Sequence, residues 1–216
     1  MRFETHTEKT PKGVTQYEEV RIAPFSENQQ IEGAVIITTD ISDRKQTEEA
    51  LERQYQQALL LRQITDEIRQ SLNTQHIFET TALQIGQAFQ VSRCLIHSYN
   101  AQPSPEIPLV AEYLKDSYPS MRGVEIPVKG NPHMEFVLKN NQASVVYDVD
   151  DEPLFEPVIH LYHQLQIKSM LSIRTSYQGK PNGMIGVHQC DRYRVWTVDE
   201  IKLLEDIAAQ VGIALA

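Results

Sequence analysis

Between Asp40 and Leu72 the chain has no Gly and no Pro, and its apolar residues recur in steps of three and four: Leu51, Tyr55, Ala58, Leu61, Ile64, Ile68 and Leu72. That spacing puts them along one narrow side of a helix, more like a coiled-coil seam than a wide globular face. Glu48, Glu49, Glu52, Arg53 and Gln56 fall mostly elsewhere, and such unbranched side chains lose little rotamer freedom in a helix. Ser42 is the expected N-cap, with Asp43 near the positive end of the helix dipole. A helix from Ser42 to Ser71 would be about 45 Å long. Helices are marginal in isolation, so this one is expected to pair with a second copy and to join what lies on either side.

Residues 1–41 read as strands. Val14–Phe25 alternates in part, Gly33–Thr39 is apolar and β-branched, and Lys12-Gly13 and Ser26-Glu27-Asn28 are turn signals. Forty residues of strand bury too little surface for a full domain. Beyond the long helix, Asn73 or Thr74 can cap a second helix to about Gln90, with Ile77, Phe78, Thr81, Ile85, Ala88 and Phe89 on its apolar face. Val91–Tyr99, Leu109–Leu114, Val124–Val128 and Ala143–Val149 read as strands, and Pro132–Leu138 as a short helix. Pro153–Leu165 reads as one amphipathic helix. Lys168–Tyr177 and Met184–Cys190 read as strands around a Gln178–Gly183 hairpin loop. Thr197-Val198-Asp199-Glu200 is a capping box for a last helix carrying Ile201, Leu204, Ala208, Val211 and Leu215. No Gly or Asn closes that helix before Ala216, so it is expected to continue beyond this piece. The pattern predicts an α+β fold: an antiparallel sheet flanked by helices.

Composition narrows the function. A chain of 216 residues, 41% hydrophobic and 23% charged, is ordinary for a folded soluble protein. The net charge of −9 and the lack of a basic run argue against a nucleic-acid partner. No apolar run approaches a membrane span and no signal peptide opens the chain, so a cytoplasmic location is expected. Two cysteines, Cys94 and Cys190, are too few for a disulfide framework and read as small buried hydrophobes. Trp196 reads as a packing anchor.

The run Ile31-Glu32-Gly33 to Asp40-Ile41-Ser42-Asp43-Arg44-Lys45 resembles the C-terminal end of a PAS domain, which closes on strands and an Asp-Ile-Thr-Glu-Arg-Lys-like signature before a signalling helix. Ser42 and Asp43 stand where Thr and Glu are commoner. Met184-Ile185-Gly186-Val187-His188-Gln189-Cys190, Arg194-Val195-Trp196 and Ile207 to Ala214 resemble the end of a GAF domain. Within that family the chain looks most like bacterial sensor kinases and cyanobacteriochromes, the bilin-binding photoreceptors. The resemblances imply three parts: C-terminal strands of a truncated PAS domain at 1–41, a coiled-coil signalling helix at 42–72, and a GAF domain at 73–216. They imply a signal-transduction module of a two-component histidine kinase, relaying ligand or partner state through helices, and homodimerisation through 42–72 and 197–216. The alternatives are a degenerate GAF domain acting as a dimerisation spacer, or a non-covalent binder of a bilin or other small molecule.

Photoreceptors of this kind attach a bilin through a Cys, usually followed by His, in the helix before the hairpin. Counting back from Ile167 places that pair on Pro157-Val158 or, two residues on, on Ile159-His160. Neither alignment supplies a thiol, so no covalent bilin is expected. His188 matches a pocket histidine of the photoreceptors, and His160, Tyr162, His163 and His188 are the candidate ligand-pocket residues. His160 and His163, three apart on a helix with His188 approaching, could suit zinc, but no spacing fixes a third ligand and no metal is expected. Asp148, Asp150, Asp151 and Glu152 could be paired carboxylates, but a solvated acidic loop is the simpler reading. No phosphate loop, nucleophile elbow, HExxH or histidine-kinase motif appears, so the segment is expected not to be an enzyme.

Overall fold

The computed structural model describes residues 2–7, 16–27, 30–71, 73–115 and 117–216. Leu72, expected at the end of the helical seam, and the Lys12-Gly13 turn lie outside them. The chain divides into two units, residues 1–58 and 59–216.

In the first unit β1 (Arg2–Thr7), β2 (Gln16–Glu27) and β3 (Gln30–Asp40) form an antiparallel sheet in chain order. β2 and β3 therefore extend beyond the predicted stretches. Val35, Ile36 and Ile37 on β3 are exposed on both of its faces. The first helix, α1 (Ser42–Gln70), follows after one residue. Ser42 is not its N-cap: it is the first helical residue, and its hydroxyl accepts the Tyr17 N–H at 2.9 Å. Asp40 takes over the capping, because its carboxylate accepts the Ser42 N–H at 2.9 Å, a bond that also holds its pKa below the ordinary value. The Tyr17 carbonyl receives the Ile41 N–H, so the helix start is sewn to β2.

The second unit contains the rest of α1, then α2 (Thr74–Ala88), β4 (Arg93–Ser98), β5 (Leu109–Leu114), α3 (Pro132–Lys139), β6 (Ser144–Val146), a 3-10 turn (Pro153–Val158), α4 (Ile159–Gln164), β7 (Ser169–Tyr177), β8 (Lys180–Gln189) and α5 (Val198–Ala214). The five strands form one antiparallel sheet in the order β5-β4-β8-β7-β6. Alternation divides its side chains between the two faces of the sheet. Cys94, Ile96, Leu171, Ile173, Ile185 and Val187 join the larger core with α2 and α5. Leu95, Val146 and Met170 join a second core with Phe155, Val158 and Tyr162 from the 3-10 turn and α4.

The seam of α1 is divided. Ile64 is fully buried in the larger core and Leu60 nearly so, with Leu61 and Ile68 packed beside them, while Leu51, Tyr55 and Ala58 are exposed. Truncating Ile64 to Ala is therefore expected to cost about 3 kcal/mol. Leu51→Ala should change the stability of a single chain by less than about 0.5 kcal/mol. Urea unfolding at low protein concentration checks both.

Four element predictions are corrected. Val124–Val128 is not a strand; Pro127 has no N–H to give a ladder, and the segment buries Val128 without pairing. Ala143–Val149 contributes only the three residues of β6. Pro153–Leu165 breaks into the 3-10 turn and α4, with Pro157 near the end of the 3-10 turn removing a donor that one continuous helix would need. The Gln178–Gly183 loop shrinks to Gln178-Gly179, both at positive φ, and β8 starts at Lys180. In α2, Ala88 is exposed, and Ala82 and Gly86 are buried instead. Elsewhere the elements match: Asn73 caps α2, and Thr197 and Glu200 exchange the two bonds of the capping box at α5.

Candidate functional site

The sheet face under α3 and α4 carries an unusual number of polar side chains. Arg93 and His97 on β4, His188 on β8 and Ser172 on β7 occupy alternate positions on that face, and all are buried. Asn131, the N-cap of α3, and His133 on α3 are fully buried too. The Arg93 guanidinium donates to the Pro119 carbonyl at 2.6 Å and the Leu165 carbonyl at 3.4 Å, and stands 3.4 Å from His188 Nδ1. Because arginine only donates, His188 Nδ1 accepts and its proton sits on Nε2. Glu112, nearly inaccessible, lies 3.8 Å from Arg93 Nε and accepts the Met121 N–H at 2.7 Å. His97 donates Nδ1–H to the Ile107 carbonyl at 2.8 Å. His133 packs edge-on against Phe155, whose ring stacks on Tyr162 at 4.3 Å, and the Tyr162 hydroxyl is 3.4 Å from His133 Nδ1.

Several of these groups lack partners. Arg93 Nε, Asn131 Nδ2, His133 Nε2 and Ser172 Oγ are buried with no hydrogen bond. Arg93 Nε and Asn131 Nδ2 can only donate. His133 Nε2 is a third unbonded atom, a donor or an acceptor according to which way the Tyr162–His133 hydrogen bond runs. A buried donor without a partner costs about 1–3 kcal/mol, so this surplus marks a place where acceptor atoms belong. At Gly186 an added Cβ would lie 3.4 Å from His188 Nε2 and 3.8 Å from Ser172 Oγ, so the glycine borders both polar groups.

Burial sets the charge states. It pushes His133 down to about 3, lowers His97, and puts His188 well below its ordinary value with help from neighbouring Arg93. All three are neutral in the fold and charge readily when unfolded, so stability is complete above about pH 6.5 and lost as pH falls. For His133 the loss runs from about pH 6.5 towards 3 and reaches about 2 kcal/mol at pH 5. Urea unfolding between pH 7 and 5 checks this, with His133→Asn expected to flatten the slope by about one proton.

The four sequence-derived pocket residues separate. Tyr162 and His188 face this interior, whereas His160 and His163 are exposed on the other side of α4. His163 pairs with Asp150 at 2.6 Å, so the acidic run 148–152 meets a surface histidine. His160 and His163 are thus corrected as pocket residues, because a step of three on a six-residue helix whose Tyr162 points inward turns both outward. Among the described residues no group of three or more His, Cys, Asp or Glu is placed to hold a metal. Arg93, His97, Asn131 and His133 were missed. The available signal was the alternation in Arg93-Cys94-Leu95-Ile96-His97, which puts a charge and an imidazole on one face of a buried strand. A surface groove of about 500 Å³ between Pro105–Leu109 and Val124–Val128 contains none of the predicted residues.

A five-stranded antiparallel sheet with helices on both faces and a polar interior under two short helices defines an α+β domain. The chain belongs to the GAF domain family, whose pattern matches residues 73–215. It is 28% identical over 179 residues to the circadian input-output histidine kinase CikA of Thermosynechococcus vestitus, covering 77% of this chain and 24% of that protein. It is 25% identical over 162 residues to the Synechocystis protein sll0041, described as a methyl-accepting chemotaxis protein, covering 74% of this chain and 16% of that protein. The chain thus spans less than a quarter of the length of these relatives. Its fold matches the phycocyanobilin-bound GAF domain of a cyanobacterial phytochrome, with TM-score 0.63 and 22% identity over 74% of this chain and 93% of that one. A far-red cyanobacteriochrome photoreceptor matches with TM-score 0.58 and 25% identity over 74% and 96%. Among the described residues no helix is long and apolar enough to cross a membrane.

Proposed function

We propose that this chain is a regulatory input module of a signalling protein, a cytoplasmic sensor histidine kinase, and that its GAF domain binds a small molecule carrying several acceptor oxygens. The observation that carries the reading is the set of buried polar atoms at Arg93, Asn131, His133 and Ser172 that make no hydrogen bond within the chain, although the Glu112 carboxylate lies 3.8 Å from Arg93 Nε. Bilins are the ligand class to test first, because related GAF structures hold phycocyanobilin and biliverdin. The ligand is held without a covalent bond. Pro157, Val158, Ile159 and His160 offer no thiol, Cys94 faces the opposite core, and burial raises the pKa of both cysteine thiols. The segment works by binding rather than catalysis.

The strands at 1–41 are the closing part of a PAS domain, and α1 is the shaft that enters the GAF core. Two copies pair through the exposed stretch at Leu51, Tyr55 and Ala58 and through α5. Ligand occupancy biases two packings of the paired helices. Single cysteines at Leu51 and Tyr55 should cross-link between copies, with yields that change when biliverdin is added. Yields indifferent to a bound ligand would contradict the relay. The second reading, a spacer that binds nothing, is favoured by Phe155, fully buried and stacked on Tyr162, which fills part of the interior. Cross-linking unaffected by biliverdin, with no biliverdin bound, would favour it.

A further inference from the structure

The β7–β8 pairing shifts register between Thr175 and Ser176: Thr175 faces Gly183, Ser176 faces Pro181, and Asn182 is the extra residue of a bulge. Asn182 has no ladder partner on β7, and its polar groups are bonded in other ways. Its carbonyl accepts the Tyr99 N–H at 2.8 Å, and its side-chain carbonyl accepts the Thr175 hydroxyl at 2.9 Å. Its Nδ2 donates to the Gly212 carbonyl at 2.7 Å. Gly212 is in the last turn of α5, between Val211 and Ile213 whose carbonyls accept the Leu215 and Ala216 N–H groups, so Asn182 caps the C-terminal end of that helix at the Gly212 carbonyl. The approach is close. A Cβ on Gly212 would lie 2.3 Å from the Ser176 carbonyl oxygen, and one on Gly183 would lie 2.7 Å from a Leu215 methyl.

The neighbouring strand residue does the same on the other face. Arg174 donates to the Leu138 carbonyl at 2.8 Å and to the Asn141 side chain, closing the C-terminal end of α3, the helix that carries His133. A cation also suits that end of a helix dipole. Adjacent residues of β7 therefore hold the ends of α3 and α5 on opposite faces of the sheet, one directly and one through the bulge.

We infer that Arg174, Thr175 and Asn182 form a clamp through the sheet, and that Asn182 is the positioning residue through which the state of α3 reaches the last turn of α5. The inference deepens the sensory reading by naming its route. It is tested on the ligand-free full chain, so its failure is distinct from a failure of ligand binding. The measurement is amide hydrogen exchange at the end of α5, residues 211–216, referenced to Ile85 in α2 to remove global opening. Asn182→Asp exchanges the donor for an acceptor facing the Gly212 carbonyl and should speed exchange there about tenfold. Arg174→Gln should speed the same amides about threefold in the otherwise native chain and leave them unchanged in the Asn182→Asp background. If Asn182→Asp does not fold, Thr175→Val removes the hydroxyl that orients Asn182 and should suppress the Arg174 effect in the same way. An Arg174→Gln effect that is absent, or equal in both backgrounds, overturns the clamp.

Discussion

Gly212→Val is expected to destabilise the GAF domain by about 3 kcal/mol in urea unfolding. Helix propensity alone argues weakly the other way, because a glycine inside a helix costs about 1 kcal/mol relative to alanine and valine recovers part of it. Space decides the sign. A Cβ at Gly212 would sit 2.3 Å from the Ser176 carbonyl oxygen and 2.8 Å from its nitrogen. Both atoms are backbone in β7 and cannot swing aside as a side chain could. To accept the valine, the last turn of α5 must lift from the sheet and give up the Asn182 bond to the Gly212 carbonyl. Exposed Ala209, one turn earlier, is the control, and Ala209→Val should cost less than about 1 kcal/mol. Equal effects at the two positions would mean that the close approach does not limit the fold.

Arg93→Met is expected to cost a similar amount, about 3 kcal/mol, for an electrostatic reason. Arg93 is fully buried and lowered in pKa by that burial, and the Glu112 side chain beside it is only 3% exposed. Removing the cation leaves a carboxylate out of water, with Arg122 at 4.0 Å as its remaining cation, and strips the Pro119 and Leu165 carbonyls of a donor. In a Glu112→Gln background the same substitution should cost about 1 kcal/mol, because the uncompensated charge is gone. The cycle is read by urea unfolding at pH 7. Additive losses would show that Arg93 acts on the two carbonyls alone.

The parts of this fold legible in the sequence were those whose signal is local. The capping box at Thr197 and Glu200, Asn73 as a cap and the apolar run of β8 depend on neighbours within a few residues. What was misread depends on distant partners. Asn182 sits in a Gly- and Pro-containing stretch that reads as loop, and only the pairing with β7 turns it into a bulge. Ser42 has the chemistry of an N-cap, yet Tyr17, 25 residues earlier, claims its hydroxyl. In the candidate site resemblance points to His188 and the helical pattern to Tyr162, and both side chains are buried in the interior. His160 and His163 were assigned inward because the spacing of two histidines says they share a face but not which way it points. Arg93 shows itself only through its alternation with His97 on one strand face, and a lone histidine after proline, His133, carries no signal until α3 is laid over the sheet.

The central claim is that the buried donors under α3 form a ligand site. The direct measurement is an absorbance titration of the purified full chain with biliverdin, repeated with His133→Phe and with the distant surface variant His76→Ala. Saturable binding with a shifted visible spectrum that denaturation reverses is expected. Affinity should be at least about tenfold weaker in His133→Phe, equivalent to losing one buried hydrogen bond, and unchanged in His76→Ala. No saturable binding, or binding indifferent to His133, would contradict it.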